Sequence, residues 1–470
     1  DDSGDGLTLG TAFRTITKAL TAVFPATTIH VWPGTYNTNL GEQFPLTLNT
    51  ESLQIVGEMG ATNTIIDVKG TNAIAIKVVG IGAGGLLKNL TIINGNPWGL
   101  WMTNTYIAVQ GCVLTNNNGG GAVDIARGNP TFTDCRIESN KCNKAAVYIE
   151  GNGGFTMNRC ILRRNVSSGS AGAIWMDLDN WIGSGIGYLN NCLIDHNACS
   201  GAVNADGIYA NDGTGFVLAN CTIADNDNAG GYGVLKTGGN GTQMKIYNSI
   251  IWSNGTDVSG MALNAAYTAQ YSCVGSIDEG GVGIINTNPL FVDTNYYHIQ
   301  SVEGCYSNGF FADGVWITAP ANSSCIDAGA ITGSYAVYQS EPMYNGARVN
   351  MGYDANTPTA SKSLAPGWVP YRYVKMGGNN EGAGTNWNTA YASVQTGLQA
   401  LAPLGGGSVH IATGTYYLAA EANVTNGTIE VLGGYLMDGV PGMRTNAPGA
   451  TTLSRVNVAA TKAPGRAMNW

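Results

Sequence analysis

The sequence predicts an all-β chain that folds as a right-handed parallel β-helix, a solenoid of stacked coils. Three observations predict it: one six-residue phrase recurs, its copies are evenly spaced, and amphipathic helix patterns are nearly absent. The phrase consists of Cys or Ser, one further residue, Ile or Leu, two variable residues and Asn. Its copies begin at Cys112, Cys135, Cys160, Cys192, Cys221 and Ser249, after a degenerate earlier copy at Leu90.

Each copy predicts one coil rather than one domain, because successive copies begin only 23 to 32 residues apart. Within a copy, apolar and polar residues alternate with a period of two, which predicts a short strand. Gly and Asn clusters between the copies predict the turns. In such a stack every strand pairs with the coils above and below it, so unpaired backbone is left only at the two ends.

Composition excludes several classes of protein. The net charge is −9 and only 11% of the 470 residues are charged, so no basic surface is available for nucleic acid. No apolar run reaches the roughly 18 residues of a membrane span. The first five residues, D-D-S-G-D, do not resemble a signal peptide. We expect either that a signal has been removed or that the sequence is an excerpt.

Cysteines predict a ladder inside the coils. One phrase position holds Cys112, Cys135, Cys160, Cys192 and Cys221. Because stacked side chains at this position face the interior, we expect buried thiols rather than disulfides. Cys305 and Cys325 fall outside the ladder and are the better candidates for a disulfide bridge. Cys142 and Cys199 each follow a ladder cysteine by seven residues and receive no predicted role.

The last residue of each phrase predicts a second ladder. Its members are Asn117, Asn140, Asn165, Asn197, Asn226 and Asn254. Stacked side-chain amides bond to each other and to the backbone of the bend. Since Asn tolerates the left-handed conformation, we also expect these residues to form the corners of the coils.

The chain contains two solenoid starts. T-A-F-R-T-I-T-K-A-L begins at Thr11 and T-A-Y-A-S-V-Q-T-G-L at Thr389, and each precedes a G-T-Y strand. Each start predicts a short amphipathic helix that caps the open end of the core. We therefore expect a capped β-helix over residues 1–285, a closing β segment and linker over 286–366, and the start of a second β-helix unit over 367–470.

Motifs of the closing segment resemble those of a known family. N-P-L-F-V-D, S-S-C-I-D-A-G and R-V-N-M-G-Y, which we interpret as parts of short strands, resemble the secreted bacterial right-handed β-helix repeat proteins of the choice-of-anchor type. The P-G-T-Y start is similar to the same group and to the wider pectin-lyase-like superfamily. The resemblance implies export to the cell surface or beyond. It implies no single activity, because the superfamily includes lyases, hydrolases and adhesins.

Alignment of the coils predicts a candidate site on an outward face. One outward row holds Trp101, Asp124, Tyr148, Trp175 and Tyr209, and the next holds Glu150, Asp177 and Asn211. Aromatic rings stack on sugars and carboxylates accept hydroxyl hydrogen bonds, so the face suits a glycan. Carboxylates on adjacent coils lie roughly 5 Å apart, near the spacing of glycosidase pairs. If the protein is an enzyme, we expect Glu150, Asp177 and Asp124 to act.

Other uses of this face are a protein interface and a Ca²⁺ site. No other cofactor is expected, and with four His a zinc site is not expected either. The preferred hypothesis is an extracellular structural or adhesive protein. Because the chain begins after a first strand and ends early in a second solenoid, copies would join head to tail into a filament. The alternatives are a polysaccharide lyase or hydrolase and a non-catalytic glycan-binding module.

Overall fold

The computed structural model describes residues 2–177, 185–211, 213–226, 230–238, 243–342, 345–363, 371–385, 387–401, 406–418, 428–435 and 451–455. The chain divides into two compact units, Asp1–Ser363 and Leu364–Trp470. The first unit is a right-handed parallel β-helix, as predicted from the repeated phrase. Three long parallel sheets form its sides, and every strand in them pairs with the corresponding strands of the neighbouring coils.

Sheet 1 contains Thr28–Val31, Gln54–Gly57, Leu86–Lys88, Ala108–Gln110, Thr131–Thr133, Phe155–Asn158, Ile186–Asn190, Gly215–Ala219, Met244–Tyr247 and Thr268–Gln270. Sheet 2 contains Gly34–Tyr36, Thr64–Asp67, Thr91–Ile93, Val113–Thr115, Arg136–Glu138, Ile161–Arg163, Leu193–Asp195, Thr222–Ala224, Ile250–Trp252 and Cys273–Val274. Sheet 3 contains Leu46–Leu48, Ile76–Val79, Trp98–Thr103, Gly121–Ile125, Val147–Glu150, Ile174–Asp177, Ile208–Ala210, Tyr232–Lys236 and Thr256–Ser259.

A short sheet 4 follows the Asn turns and contains Asn118–Gly119, Lys141–Cys142, Val166–Ser167 and Ala198–Cys199. Cys142 and Cys199, which had no predicted role, lie in one row of this sheet on either side of Ser167. The helices described are Leu9–Thr11, Ile16–Leu20, Ala61–Asn63, Met261–Leu263 and Val394–Leu401. None of them is long and apolar enough to cross a membrane.

Left-handed residues form the corners of the coils. The residue before each ladder Asn has a positive φ, and these residues are Asn116, Ser139, Arg164, His196, Asp225 and Ser253. The prediction that the ladder Asn itself adopts this conformation is therefore wrong. The preceding residue turns the chain, which leaves the Asn side chain inside the bend, where its amide reaches the backbone. A second positive-φ residue precedes each ladder Cys, for example Gly111 before Cys112.

The Asn ladder forms in the structure. All six residues are buried, and each of the first five donates from Nδ2 to Oδ1 of the next ladder residue at 2.8–3.1 Å. Asn254 ends the ladder on Asp257 Oδ1 at 2.8 Å. Each Nδ2 also donates to a carbonyl of the preceding coil, such as Asn165 to Ile137 O at 2.9 Å. The ladder therefore satisfies polar groups that the bends would otherwise leave buried and unpaired.

The cysteine ladder lies in the core. Its five thiols are fully buried and free, and burial raises the pKa of Cys112, Cys135, Cys160 and Cys192. They pack with inward-facing Ile, Leu, Val, Phe and Met side chains of the three sheets in one continuous cluster. Because a buried thiol with a raised pKa is a poor nucleophile, these cysteines act as small apolar residues.

A short helix caps the first unit, as the sequence predicts. Helix Ile16–Leu20 begins after Thr15, whose side chain accepts a hydrogen bond from Lys18 N. Glu42 supports it, since its carboxylate accepts from Ile16 N at 2.6 Å and from Thr17 N at 2.8 Å. Ile16 packs into the main core together with Leu20. The helix thus shields the apolar interior at this end from water.

Residues 286–363, here called the lateral segment, pack along the outer side of sheet 2 rather than across the end of the solenoid. Tyr297 and Tyr353 pack on Ile161, Leu193 and Ala224 of that sheet. The interpretation of residues 288–293, 323–329 and 348–353 as parts of strands is wrong. Within the described part of the segment the strands are an antiparallel hairpin, Cys305–Ser307 and Val315–Ile317.

Side-chain hydrogen bonds replace strand pairing in the lateral segment. His298 is fully buried and bonds to Asp354 at 2.8 Å, to Gly309 O at 2.8 Å and to the Tyr353 hydroxyl at 3.0 Å. Asn191 Nδ2 on the solenoid donates to Tyr353 O at 2.9 Å. Such contacts join positions far apart in the sequence, so no local pattern could indicate them.

The predicted Cys305–Cys325 bridge is not formed. Both thiols are free and buried. Cys305 Sγ lies beside the carbonyls of Ser301 and Ile317. Cys325 instead belongs to a cluster that contains Cys273 of sheet 2. The segment folds so that Cys305 lies outside the packing cluster of Cys325, which sequence position alone could not reveal.

The second unit repeats the start of a solenoid. Strands Tyr371–Val374, Gly406–Ala412 and Thr428–Tyr435 form a parallel sheet, and Gly414–Leu418 pairs in parallel with Thr451–Arg455. Helix Val394–Leu401 packs on this core through Val394, Leu398 and Leu401. The predicted second unit extends to residue 470, and its residues 436–450 and 456–470 lie outside the described part of the chain.

Candidate functional site

Sheet 3 brings the predicted site residues into register. Trp101 pairs with Asp124, Asp124 with Tyr148, Tyr148 with Trp175, and Trp175 with Tyr209 across successive coils. Glu150 and Asp177 are direct partners in the same register. The alternating inward residues, such as Val123 and Val147, lie in the main core. The two predicted rows therefore lie on the outer side of sheet 3.

The aromatic row is covered rather than open. Tyr148 is 2% and Tyr209 9% exposed, and Trp101 and Trp175 are half-buried. Small residues of the preceding loops, Ala145, Ala171 and Ala205, cluster with Tyr209 over this row. Because these rings are buried, Tyr148 and Tyr209 are not platforms on which a sugar can stack.

Ring faces in the row are occupied by other side chains. Tyr148 stacks on Trp98, with ring centroids 6.1 Å apart and planes at 8°, and meets Trp175 edge to face at 5.1 Å. Lys144 Nζ lies 4.8 Å from the Tyr148 ring and 5.2 Å from the Trp175 ring. Lys77 lies 4.9 Å from the Trp101 ring. The row is thus a second apolar layer closed by cation–π contacts.

Asp124 is the most perturbed acid of the face. Its side chain is 4% exposed, and its Oδ1 has no hydrogen-bond partner among the described residues. Burial, and then the neighbouring charge of Glu150, raise its pKa to about 8, against the opposing effects of Lys144 and a hydrogen bond from Trp101. Asp124 therefore retains its proton at neutral pH.

The Asp177 carboxylate is hydrogen-bonded to neighbouring side chains. It accepts from the Tyr148 hydroxyl at 3.1 Å and from Asn211 Nδ2. Asn211 O in turn accepts from Lys236 Nζ at 2.7 Å. Glu150 and Asp177 are half-buried, whereas Lys236 is 1% exposed. The face thus combines a buried neutral acid with two half-buried carboxyl groups.

Sequence reasoning missed two lysines of this face. Lys144 lies in the loop before strand Val147–Glu150, and no periodic signal places it over the rings. Lys236 pairs with Ala210 in the inward row of sheet 3, which is otherwise apolar. A lysine at this position of the coil alignment was therefore a signal that sequence reasoning could have used. Among the described residues, no group of three or more His, Cys, Asp or Glu could hold a metal ion. The Ca²⁺ site stays a prediction.

The Asp124→Asn variant tests whether this acid is neutral in the folded chain. Between the ordinary value of 3.8 and about 8, the folded state holds a proton that the unfolded state releases, so wild-type stability falls as pH rises through this window. The Asp124→Asn variant does not lose stability in this way, because asparagine has no carboxyl proton to release. We expect its stability relative to wild type to increase between about pH 4 and about pH 8, by at most about 5 kcal/mol.

Chemical denaturation at several pH values measures this difference. The control is Asp313→Asn, since Asp313 is exposed on the lateral segment. Its stability curve should run parallel to that of wild type. An Asp124→Asn curve equally parallel to wild type would show that Asp124 is ionised throughout.

The fold defines the class of this protein: it is a right-handed parallel β-helix protein. Within that class the chain belongs to the family described as "Protein of unknown function (DUF1565)", whose profile matches residues 1–289. No curated protein matches the sequence.

Several solved structures are similar to this chain. Pectate lyase Pel9A is 13% identical, with 75% of this chain and 93% of that chain covered and a TM-score of 0.44. Pectin methylesterase PemA from Erwinia chrysanthemi is 15% identical, with 59% and 87% covered and a TM-score of 0.31. The PL6 family alginate lyase AlyGC is 9% identical, with 93% and 67% covered and a TM-score of 0.26. At these identities the likeness concerns the fold alone.

Proposed function

We propose that this chain is an extracellular structural component whose β-helices join end to end by strand addition between copies. One observation carries the proposal: strand Thr28–Val31 pairs on one edge only, with Gln54–Gly57, among the described residues. Its counterpart in the second unit, Gly406–Ala412, pairs on both edges. The first unit therefore offers an edge at which a further strand can bind.

The frameworks beside these two strands are built alike. In the first unit Asp2 Oδ1 accepts from Arg14 N at 2.9 Å and Thr15 N at 3.2 Å. In the second unit Asn380 Oδ1 accepts from Ala392 N and Ser393 N, both at 2.9 Å. A tight turn follows in each, with Gly6 N bonded to Thr11 O and Gly384 N to Thr389 O, both at 2.9 Å. The framework of the second unit, which holds a strand, thus indicates what the framework of the first unit can bind.

Strand Tyr371–Val374 fills the framework of the second unit. Tyr373 N donates to Gly384 O at 2.8 Å, and Tyr391 N donates to Tyr373 O at 2.9 Å. The Tyr373 ring packs 4.5 Å from the Trp387 ring. Main-chain bonds and an aromatic contact therefore hold this strand, which is the usual way in which a sheet edge binds an extended segment.

The same positions of the first unit are unfilled by described residues. No described residue bonds to Gly6 O or to Phe13 N, which match Gly384 and Tyr391. Leu9, which matches Trp387, is 68% exposed. The surrounding groove has a volume of about 440 Å³ and is bordered by further exposed apolar residues. They are Leu7 and Trp32.

Such an edge favours association with another chain. Unpaired N–H and C=O groups beside exposed apolar side chains template strand pairing. A contact between this edge and a different surface of the next copy is head to tail, and it stays open when the rotation between copies does not close into a ring. Repetition of this contact would build a filament.

End-to-end assembly predicts a mass that rises with concentration above the 48.8 kDa of one chain. The Leu9→Asp variant should weaken association at least about tenfold, because it places a charge where the bound strand packs. Light scattering over a concentration series measures the mass, and electron microscopy shows the shape of the assemblies. The control is Ile331→Asp, since Ile331 is exposed to a similar degree, 61%, in the lateral segment. Monomers of both wild type and Leu9→Asp at every concentration would refute the proposal.

A second function is favoured by the carboxyl groups of sheet 3. Glu150 and Asp177 are direct partners on adjacent coils and lie beside the neutral Asp124, so this half-buried pair could supply the acid that protonates the leaving oxygen of a polysaccharide and the carboxylate that assists. The protein would then be a polysaccharide lyase or glycoside hydrolase, with or without Ca²⁺. A non-catalytic glycan-binding module would use the half-buried Trp101 and Trp175 instead.

A screen of neutral and acidic polysaccharides, with and without Ca²⁺, tests this second function. Loss of turnover with retained binding in Asp124→Asn and in Glu150→Gln/Asp177→Asn would show an enzyme. Binding that survives both changes without any turnover in wild type would show a binding module. If wild type shows neither turnover nor binding, the outer side of sheet 3 is a structural surface.

A further inference from the structure

A pair of cysteines outside the ladder joins the solenoid to the lateral segment. Cys273 lies in the last strand of sheet 2, Cys273–Val274, and Cys325 lies in the lateral segment. Both are fully buried in one apolar cluster with Ile250, Ile299 and Met351. Each thiol lies close enough to the other to shift its pKa. This pair therefore connects two parts of the first unit that are packed together but widely separated in sequence.

The pair differs from the stacked ladder. Val274 belongs to the main core, so Cys273, the preceding residue of the same strand, points outward toward the lateral segment. Cys325 meets it from the opposite packing surface. Main-chain bonds hold both residues: Cys273 N donates to Ser249 O at 2.8 Å, and Met351 N donates to Cys325 O at 2.9 Å. Ladder cysteines on adjacent coils have parallel Cα–Cβ directions, which opposes a bridge, whereas residues facing each other across an interface do not have this constraint.

We infer that Cys273 and Cys325 form a disulfide when the chain folds in an oxidising compartment, which fastens the lateral segment to the solenoid. The inference goes beyond end-to-end assembly and does not depend on it. A bridge at this place removes conformational freedom from the loop between the two residues in the unfolded chain. The lateral segment could then leave sheet 2 only by global unfolding of this region.

The reaction proceeds through a mixed disulfide. One of the two thiols loses its proton to solvent, attacks a low-molecular-weight disulfide as the thiolate and releases one thiolate of the oxidant. The other thiol then loses its proton to solvent and attacks the protein sulfur of the mixed disulfide, which forms the protein disulfide and releases the second thiolate. Two protein thiols are oxidised and one small disulfide is reduced to two thiols.

The access of the oxidant to the two thiols decides when the disulfide forms. Both thiols are fully buried once the segment is packed. The oxidant must therefore act before the lateral segment docks, during folding or local opening. This timing predicts that folded reduced protein oxidises slowly and that refolding in a glutathione redox buffer oxidises it efficiently.

Peptide mapping of the full chain tests the inference. The chain is refolded with oxidised and reduced glutathione, alkylated, digested without reduction and analysed by mass spectrometry. The expected result is one linked peptide pair, Cys273 with Cys325, while the other eight of the ten cysteines are alkylated. A bridge between Cys305 and Cys325, or alkylation of Cys273 and Cys325 after oxidative refolding, would overturn it.

Stability measurements provide a second readout. Reduction should lower the melting temperature of oxidised wild type and of Cys305→Ser, which removes another buried thiol of the lateral segment but leaves the pair intact. Reduction should not change the melting temperature of Cys273→Ser or Cys325→Ser. An equal shift in all four proteins would overturn the inference. If a serine variant does not fold, the mapping of wild type still decides.

Discussion

Replacement of Asn165 by alanine is expected to lower the free energy of unfolding of the first unit by about 3–5 kcal/mol. The side chain is fully buried in the middle of the Asn ladder. Its Nδ2 donates to Ile137 O at 2.9 Å and to Asn197 Oδ1 at 2.8 Å. Its Oδ1 accepts from Asn140 N at 3.1 Å and from Asn140 Nδ2 at 2.9 Å.

The large effect follows from what the alanine variant leaves behind. Ile137 O and Asn140 N stay inside the bend without a replacement partner, and each unsatisfied buried group costs about 1–3 kcal/mol. Urea denaturation followed by circular dichroism measures the loss. Asn143→Ala is the matched control, because Asn143 is an exposed residue of a neighbouring loop, and its effect should stay within about 0.5 kcal/mol. If both variants lose the same stability, the ladder bonds contribute nothing specific.

The second large effect is expected for Arg163→Met, which should lower the stability of the first unit by about 3–5 kcal/mol. Arg163 is 5% exposed, and its guanidinium forms an ion pair with Asp195, which is fully buried, at 2.9 Å. The guanidinium also lies 5.4 Å from the Phe310 ring of the lateral segment. Methionine fills similar space but leaves the buried Asp195 carboxylate without the guanidinium, while His196 Nδ1 stays at 2.8 Å from it.

Two further readouts separate a buried charge from a packing defect. The double variant Arg163→Met/Asp195→Leu should recover most of the lost stability, since it removes both charges. Limited proteolysis reports whether residues 286–363 detach from sheet 2 in the single variant. A double variant no more stable than the single one would contradict this explanation.

The repeated phrase was sufficient to predict most of the first unit. Its Cys, Ile or Leu, and Asn positions become core thiol, core apolar side chain and ladder amide in every coil. A local rule of this kind can be read from the sequence because each coil repeats it and pairs only with its neighbours. The register of Glu150 with Asp177 followed from the same alignment.

Predictions failed where the chain leaves the repeat. Residues 286–363 form few strands, because their backbone is held by side chains of His298, Asn191 and other residues rather than by a ladder. Short apolar runs in this segment indicated strands, but the runs pack on sheet 2 from loops. The wrong disulfide partner for Cys325 has the same origin, since its actual neighbour lies in the last coil.

By itself, the sequence determined the class of fold, the two capped starts, and which residues face the inside of each coil. These properties depend on periodicity and on contacts between adjacent coils, which recur along the chain. Only the tertiary structure decided which residues cover the outer sides of the sheets. Burial of Tyr148, the proton on Asp124 and the pairing of Cys273 with Cys325 depend on loops and a segment that fold back from distant positions. The repeated phrase does not encode such contacts. Each contact occurs only once in the protein, and its free energy comes from the packing of unrelated surfaces.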